Sequence, residues 1–393
     1  MNSLAVDVRS DWASRDSVLS SICLPLTGFD CGVALNNLGY MYANGNGVEQ
    51  DYVQALKWYG MAAQHGYEPA QFNLGVMYAN GQGVDQDFAQ TLKWYQLAAE
   101  NGTSTAQHAL GTMYATGRGV AKDEEKARHW YFLAAIQGYS RSQFNLGLLL
   151  LNGQGGQTDE TEAVRWFVLA AEQGNADAQY NLGVLHECGR GVARNLEVAI
   201  GWYLQAANQG DVFAQGNLGL LYHNEEGVAQ DFFQALKWYH LAAAEGDAQA
   251  QFNIGVMYAN GQGVTRSSEQ ALHWFELSAA QGDPFAQHNL GLLYHSGDGA
   301  KQDYAVALHW FRLAAAQGFS PAQVDLAWMH ASGQGTLQAY ERAHMWFNIG
   351  AAAGNSDALT GRELIARQMT AEQIAKAQTL ARDCQKNGLS DLK

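Results

Sequence analysis

Tryptophan recurs every 36 residues along this chain, and nine of its eleven tryptophans keep that spacing. They are Trp58, Trp94, Trp130, Trp166, Trp202, Trp238, Trp274, Trp310 and Trp346. A fixed period of this size is the signature of a helical solenoid, in which each repeat packs only on its neighbours. Such a chain has no central cavity around which an active site would gather. Its long surface is therefore the first place to look for function.

Other recurring residues divide each copy into two antiparallel helices, A and B. A Leu-Gly pair precedes most of the tryptophans by 20 and 19 residues, as at Leu74-Gly75. An Asn-Gly-x-Gly loop, as at residues 80–83, separates the two halves, and a glycine such as Gly102 follows each tryptophan by eight residues. In the second copy, helical spacing predicts helix A over residues 68–79, and the glycines of the loop end it.

Two local predictions concern the start and the interior of helix B. Asp87 is a predicted N-cap, and Gln90 three residues later completes a capping box. The arrangement recurs at Asp51 with Gln54, Asp231 with Gln234 and, as a variant, Asp159 with Glu162. The repeating tryptophans are predicted core residues, so Trp202→Ala should cost roughly 3–5 kcal/mol of stability.

The composition excludes several classes of protein. With four prolines in 393 residues and 16% charged residues, the chain is neither disordered nor a nucleic-acid binder. Its formal charge of −15 repels phosphate backbones and anionic membranes. No apolar run approaches the roughly 18 residues of a membrane helix. We therefore expect a protein or peptide partner, with no nucleic acid, no membrane insertion and no cofactor.

The repeated residues resemble the Sel-1-like repeat, a relative of the tetratricopeptide repeat with a similar period. The family motif A-Q-x-N-L-G is matched by Ala70-Gln71-Phe72-Asn73-Leu74-Gly75 and closely by Ala250-Gln251-Phe252-Asn253-Ile254-Gly255. A second motif, A-x-x-W-Y/F-x-x-A-A-x-x-G, follows it in most copies. The resemblance covers about residues 33–355.

This resemblance implies an all-α fold, a right-handed αα-solenoid of nine repeats whose A helices line the concave side. Members of the family mostly act as adaptors that assemble protein complexes, in bacterial signalling, envelope biogenesis and host interaction or in eukaryotic ER quality control. Some cysteine-rich exported relatives carry disulfides and have been linked to penicillin-binding or β-lactamase activity. Here the repeats hold only Cys188, and Cys23, Cys31 and Cys384 lie outside them, which gives no disulfide framework and no CxxC metal pattern.

The two ends of the chain depart from the repeat, as terminal caps should. We expect an N-terminal segment over residues 1–32, partly disordered or capping, nine repeats over residues 33–355, and capping helices over residues 356–393. Thr370 with Gln373 forms a predicted capping box for the last helix.

The acidic start of the chain bears on its location. Asp7, Asp11 and Asp16 precede a short apolar stretch at residues 18–26, which argues against the positively charged leader of a secretory signal. We expect a cytoplasmic location. A misassigned start codon would instead leave a periplasmic or secreted protein.

Stacked repeats turn each position of helix A into a row, and one row is rich in asparagine. At about 100° per residue, Leu74 and Gly75 face helix B, while Asn73 lies on the opposite face with Phe72 beside it. Amide side chains can clamp the backbone of an extended peptide, and aromatic neighbours supply apolar anchors. The predicted partner-binding residues are Phe72, Asn73, His108, Phe144, Asn145, Tyr180, Asn181, Asn217, His223, Phe252, Asn253, His288, Asn289, His295 and Trp328.

A structural interpretation competes with binding along these rows. Asn73 can bond to a neighbouring helix and fix the orientation of the repeats, Asn80 can cap its helix, and packing between repeats can consume the aromatic rings. Residues that differ between copies favour a groove in the second half of the solenoid, but drift on a solvated face explains them equally. These residues include Tyr180, Glu187, Phe213, His223, Phe285, His295 and Trp328.

Enzyme interpretations find little support. The Gly-x-Gly loops lie between helices and lack the third glycine of a dinucleotide fingerprint. His288 and His295 lie about 10 Å apart along one helix, too far for a single metal ion. His186 in His186-Glu187-Cys188 occupies the position of a tyrosine that faces helix B, and no Ser-x-x-Lys motif is present.

The sequence therefore predicts a non-catalytic scaffold or adaptor of bacterial type, active in regulation or complex assembly. It would bind a protein segment along the concave face of its A helices, which are held in place before the partner arrives. One alternative is an exported or effector protein that binds an envelope or host component. A third possibility is a hydrolase of the β-lactamase type. Partner identity, pathway and oligomeric state stay open.

Overall fold

The chain is an all-α repeat solenoid. The computed structural model describes residues 28–387, which contain twenty α-helices and no β-strand. Residues 1–27, which make up most of the expected N-terminal segment, lie outside the described part of the chain, as do residues 388–393. The helices fall into two compact units that divide between Asn195 and Leu196.

The first unit has nine helices among its described residues, in alternating A and B order. They are α1 (Gly28–Asn44), α2 (Tyr52–Gln64), α3 (Glu68–Asn80), α4 (Phe88–Glu100), α5 (Ser104–Thr116), α6 (Glu124–Ala135), α7 (Ser140–Asn152), α8 (Glu160–Glu172) and α9 (Ala176–Cys188). Odd-numbered helices are A helices, and each helix packs against its sequence neighbours within the unit. Helix A of the second repeat ends one residue later than the sequence predicts, at Asn80.

The second unit begins with a B helix and continues through four further A and B pairs. These nine helices are α10 (Leu196–Asn208), α11 (Val212–Asn224), α12 (Phe232–Ala244), α13 (Ala248–Asn260), α14 (Ser268–Ala280), α15 (Pro284–Ser296), α16 (Tyr304–Ala316), α17 (Ser320–Ser332) and α18 (Tyr340–Ala352). Odd-numbered helices from α11 to α17 are therefore the A helices of this unit.

Two helices without the repeat motif follow α18, namely α19 (Ser356–Ala366) and α20 (Ala371–Asn387). Both pack against α18, and Ile365 and Cys384 join the apolar cluster around Phe347. The predicted capping box starts α20: the Thr370 N–H donates to Gln373 Oε1 at 2.9 Å, and the Gln373 N–H donates to Thr370 Oγ1 at 3.2 Å. That prediction is confirmed.

The loop from helix A to helix B is closed by a backbone hydrogen bond. Asp87 accepts from the N–H groups of Ala89 and Gln90 at 2.8 and 3.0 Å, which confirms it as an N-cap. However, the N–H of Asp87 itself donates to the Tyr78 carbonyl at 3.0 Å. This N–H is therefore not available to the Gln90 side chain, which accepts from it in a capping box. The predicted capping box is therefore wrong at this loop. Asp51, Asp159 and Asp231 bond in the same way to Tyr42, Leu150 and Tyr222.

The core aromatic of each repeat is the residue that follows the tryptophan. This position is buried in all nine repeats, at Tyr59, Tyr95, Tyr131, Phe167, Tyr203, Tyr239, Phe275, Phe311 and Phe347. In seven repeats its ring lies where a side chain at the glycine of helix A would stand, as Tyr95 does beside Gly75. Trp58, Trp238 and Trp346 are buried as predicted, but Trp202 and the five remaining tryptophans of the series are only partly buried. The prediction that every repeating tryptophan is a core residue is therefore wrong.

A buried glutamine ties each helix A to the preceding helix B. The Gln107 Nε2 donates to the Ala99 carbonyl at 3.0 Å, and the equivalent bond recurs in seven other repeats at Gln71, Gln143, Gln179, Gln215, Gln251, Gln287 and Gln323. In the third repeat the Gln137 Nε2 completes the arrangement by donating to Gln107 Oε1 at 2.8 Å. These bonds satisfy the N–H groups of buried amides, which would otherwise destabilise the stack.

Candidate functional site

In the first unit, several predicted binding residues serve packing between helices. The Asn73 Nδ2 donates to Asn36 Oδ1 of the preceding A helix at 3.0 Å, as the structural interpretation of this residue requires. Phe72 stacks on the buried Tyr95 with ring centroids 5.3 Å apart. Asn145 bonds to the hydroxyl of Tyr131. The two asparagines join one repeat to the next and Phe72 packs inside its own repeat, so less of their surface is offered to a partner.

His108 lines a cavity on the A-helix side of the first unit. The cavity has a volume of about 280 Å³ and lies between α3, α4 and α5, with Ala79, Phe88 and Thr112 among its other lining residues. His108 Nδ1 is hydrogen-bonded to Ser142 Oγ at 2.9 Å. Burial, aided by the charge of Arg141, lowers the pKa of His108 to about 4, so the ring is neutral at pH 7.

The remaining predicted residues of the first unit are partly buried. Phe144 lies 5.8 Å from the ring of Phe167, so its ring belongs mainly to the repeat interior. Asn181 donates to the Asp177 carbonyl one turn earlier on its own helix at 2.7 Å. Tyr180 is also half-buried on α9.

The asparagine row of the second unit lacks the bonds between repeats that Asn73 and Asn145 make in the first. Asn289 donates to the Phe285 carbonyl of its own helix at 2.8 Å, and Asn253 accepts from Gln249 of its own helix at 3.4 Å. Asn217 makes no side-chain hydrogen bond to any residue in the described part of the chain. None of the three bridges to another repeat, and all are partly exposed. Their amides keep donor or acceptor capacity for another molecule.

An apolar row lies beside this amide row on the same helices. Leu220, Leu292 and Trp328 are 44%, 41% and 41% exposed, and the half-buried Val256 occupies the same position on α13. Leu220 follows Asn217 by three residues, a spacing that places both side chains on one helix face. We call the face formed by the amide row of α11, α13 and α15 and the apolar row of α11, α13, α15 and α17 the A-face.

The sequence interpretation missed Leu220 and Leu292 because it treated this row as ordinary aliphatic positions. The same row holds Tyr40 and Leu148 in the first unit and Val256 in the second, so residue type alone does not distinguish the two units. A larger apolar side chain on a solvent-facing position leaves more surface for a partner to cover. Trp328, which was predicted, touches Phe347 edge-on at 5.1 Å and stays exposed on its other side.

The singular histidines of the second unit join neighbouring repeats. His223 and His295 donate from Nε2 to the loop glutamines Gln262 and Gln334, at 3.3 and 3.1 Å. Their rings pack against Phe232 and Tyr304, the first residues of the following B helices. Both histidines are therefore part of the loop edge of the stack, and they stay only partly exposed.

Two further predicted residues, Phe252 and His288, lie within an aromatic strip. Phe252 contacts Phe275 and the half-exposed Phe285, with ring centroids 5.7 and 5.9 Å apart. His288 donates from Nε2 to Asp325 Oδ2 at 2.7 Å and packs against Phe319. The strip thus combines packing between repeats with an exposed edge at Phe285.

The described residues show no group of three or more histidine, cysteine, aspartate or glutamate side chains that could hold a metal ion. Cys188 is exposed at the end of α9, and Nδ1 of its neighbour His186 is buried without a hydrogen-bond partner. Between residues 28 and 387 no helix is both long enough and apolar enough to cross a bilayer.

Stacked helix pairs with an exposed polar and apolar face define an interaction-type repeat scaffold. The model of the Sel1 repeat matches the chain nine times in succession, at residues 32–67, 68–103, 104–139, 140–175, 176–211, 212–247, 248–283, 284–319 and 320–355. The chain therefore belongs to the Sel1 repeat family. Proteins of this family generally mediate protein–protein interactions, and their fold is typically non-enzymatic.

Two solved structures show the same architecture. One is a protective antigen present in uropathogenic Escherichia coli strains, with an SLR fold; it is 29% identical, the match covers 95% of each chain, and the TM-score is 0.61. The other is a Sel1 repeat protein from Oxalobacter formigenes, 31% identical over 80% of this chain and 93% of that one, with a TM-score of 0.63. No curated protein matches the chain.

Proposed function

We propose that this protein is a non-catalytic adaptor that binds an extended protein segment along the A-face of its second unit. The observation that carries the proposal is the pairing of exposed apolar side chains with amides that bridge to no other repeat. Leu220, Leu292 and Trp328 supply the first group, and Asn217 with Asn289 belongs to the second.

The apolar row and the amide row of the A-face contribute to binding in different ways. Covering an exposed leucine or tryptophan side chain stabilises a complex by roughly 1–2 kcal/mol, because apolar surface leaves water. The asparagine amides then bond to backbone N–H and C=O groups of the segment, which would otherwise lose their water without replacement. The helices are already rigid, so little conformational entropy is lost on their side of the complex.

Charge favours a basic partner. Residues 196–265 contain one basic residue, Lys237. The same stretch contains seven acidic residues: Glu197, Asp211, Glu225, Glu226, Asp231, Glu245 and Asp247. A field of one sign steers an oppositely charged partner and raises its association rate, more strongly at low salt. We infer a segment that carries lysine or arginine between its apolar anchors.

Site-specific photo-crosslinking in living cells tests this proposal. A photoreactive amino acid is placed at Leu220 or Leu292 on the A-face, or at Leu241 or Leu277 on the outer surface of α12 and α14, which are exposed to a similar degree. We expect discrete crosslinked partner bands from the A-face positions and none from the control positions. Equal crosslinking from both sets, or none from the A-face, would contradict the proposal.

The compartment belongs to the same proposal. We infer a cytoplasmic protein, because Cys188 is an exposed free thiol and exposed free thiols are typical of reducing compartments. One comparison favours the exported alternative, since the similar E. coli protein is described as a protective antigen. Fractionation of the native organism decides between them: recovery in the periplasm or medium would replace the intracellular adaptor by an exported one.

A further inference from the structure

A cavity of about 230 Å³ lies in the second unit, on the opposite side of α17 from the A-face. It is bounded by α16, α17, α18 and α20 and has both charged and apolar walls. Its lining residues are Leu308, Arg312, Leu326, His330, Thr336, Arg342, Met345, Trp346 and Leu380. The charged groups, Arg312 and Arg342, are both basic, although the whole chain carries a formal charge of −15.

Neither arginine has an acidic partner. Among residues 28–387, no salt bridge involves Arg312 or Arg342. Glu341, the acidic neighbour of Arg342 in sequence, is instead paired with Lys376 at 2.7 Å. Two guanidinium groups that share one cavity without a counter-charge repel each other, so an anion between them would remove that repulsion.

His330 adds a third polar group to this cavity. It is only 7% exposed, and its Nδ1 is buried without a hydrogen-bond partner. A buried nitrogen in that condition costs free energy unless another molecule bonds to it. Burial, together with the charges of Arg342 and Arg312, lowers the pKa of His330 to about 4, which agrees with the two arginines lying close to the ring. The ring is neutral at pH 7, and it can donate from Nδ1 to an anion.

The same groove in the first unit lacks these groups. Five repeats earlier, Phe132, Leu150 and Glu162 occupy the positions of Arg312, His330 and Arg342, and they line a corresponding cavity between α6, α7 and α8. In no other repeat does arginine stand at either arginine position. The scaffold therefore does not require these three residues, and the cavity of the last repeats has its own chemistry.

We propose that the cavity lined by Arg312, His330 and Arg342 binds a small organic anion. Its carboxylate or phosphate group would lie between the two guanidinium groups and the imidazole, with Thr336 available as a further donor. Its apolar body would lie against Leu326, Met345 and Trp346, which form the buried wall. The volume is smaller than the roughly 300–1,000 Å³ of cavities that hold drug-sized ligands, which suits a single ring.

Isothermal titration of the full chain with benzoate, phenyl phosphate, inorganic phosphate and uncharged benzamide tests the proposal. We expect one site per chain for benzoate or phenyl phosphate, and binding at least tenfold weaker for benzamide. The stronger of the two aromatic anions identifies the head group as carboxylate or phosphate. Equal affinity for benzamide, or no binding of either aromatic anion at millimolar concentration, would overturn the proposal.

Variants locate the site. Arg312→Gln and Arg342→Gln should each weaken binding by about tenfold to a hundredfold, because each removes one charge-assisted hydrogen bond. Both side chains are exposed at the cavity mouth, so the helices should fold as before. Arg128→Gln is the matched control: it removes the same charge from the corresponding groove of the first unit and should leave the affinity unchanged. An equal loss in this control would show that the anion responds only to net charge.

Discussion

In six of the nine repeats, the residue after the tryptophan is buried while the tryptophan itself is only partly buried. Phe275 is 1% exposed and packs among Ala271, Ala279 and Leu290, whereas its neighbour Trp274 is only partly buried. Two consecutive helix residues point about 100° apart, so one faces helix A of its own repeat and the other faces the boundary with the next. The tryptophan period therefore defined the repeat correctly. In these repeats, however, the tryptophan is the less buried of the two aromatic residues.

Alanine substitutions measure this difference. Phe275→Ala should lower the free energy of unfolding by about 3–5 kcal/mol, because it leaves a cavity in a close-packed interior. Trp274→Ala should cost about 1–2 kcal/mol, since part of that ring is already in water. Urea denaturation followed by far-UV circular dichroism gives both values. A larger loss for Trp274→Ala would contradict the assignment of the core residue.

A hydrogen bond between two glutamine side chains is present in the seventh repeat and missing in the sixth. Gln281 donates to Gln251 Oε1 at 2.9 Å, but the equivalent residue in the sixth repeat is Glu245, and there Gln215 Oε1 is buried without a partner. The cause is chemical: an ionised carboxylate has no N–H to donate. The buried Oε1 of Gln251 in the seventh repeat therefore has a donor, and that of Gln215 in the sixth does not.

Exchanging the two residues tests this pairing. Glu245→Gln should raise the free energy of unfolding by about 1 kcal/mol, because it supplies the missing donor. Gln281→Glu should lower it by about 1–3 kcal/mol, since it leaves Gln251 Oε1 without its donor. Thermal and urea unfolding of the two variants are compared with the wild type. Changes of the same sign in both variants would exclude the pairing as the cause.

At the scale of the element, the end of helix A is set by one left-handed residue. In the repeats around it this residue is glycine, such as Gly261 at φ 69°, but in α11 it is Glu225 at φ 62°. A side chain in this conformation costs roughly 1–2 kcal/mol because its Cβ crowds the backbone. The sixth repeat therefore keeps a strained helix end, and its loop adds two exposed acidic residues, Glu225 and Glu226.

Restoring glycine should relieve this strain. Glu225→Gly is expected to raise the free energy of unfolding by about 0.5–1 kcal/mol, the steric gain being partly offset by the freedom of glycine in the unfolded chain. Gly261→Ala, the reciprocal control one repeat later, should lower it by about 1–2 kcal/mol. Chemical denaturation at constant pH gives both values. A destabilised Glu225→Gly variant would mean that the glutamate side chain stabilises the loop.

The sequence predicted the elements well, whereas its binding residues stay a prediction. The period defined the nine repeats, and Asp87 and Thr370 were correctly identified as caps, because caps depend on bonds within a few residues. The capping box at Asp87 failed because a backbone carbonyl, that of Tyr78, reaches the N–H first. Whether an asparagine bonds to a neighbouring repeat depends on the distance between two helices. A repeat motif does not specify that distance.

At the scale of the whole chain, one scaffold carries surfaces of different chemistry. The glutamine bonds and the buried aromatics recur in both units, so they account for the fold. We propose that specificity comes from individual positions on this scaffold: Leu220 and Trp328 on the A-face, and Arg312 and Arg342 in the cavity of the last repeats. A repeat protein can change such positions freely because each repeat needs only its neighbours to fold.

The most direct test of the adaptor account is a binding titration with the segment recovered by crosslinking. Fluorescence anisotropy of a labelled peptide is measured with the wild type, with Asn217→Ala/Asn253→Ala/Asn289→Ala, and with the control Leu241→Ala/Leu277→Ala. We predict at least tenfold weaker binding to the asparagine variant, unchanged binding to the control, and unchanged helicity in both. Equal affinity for the wild type and the asparagine variant would contradict the account.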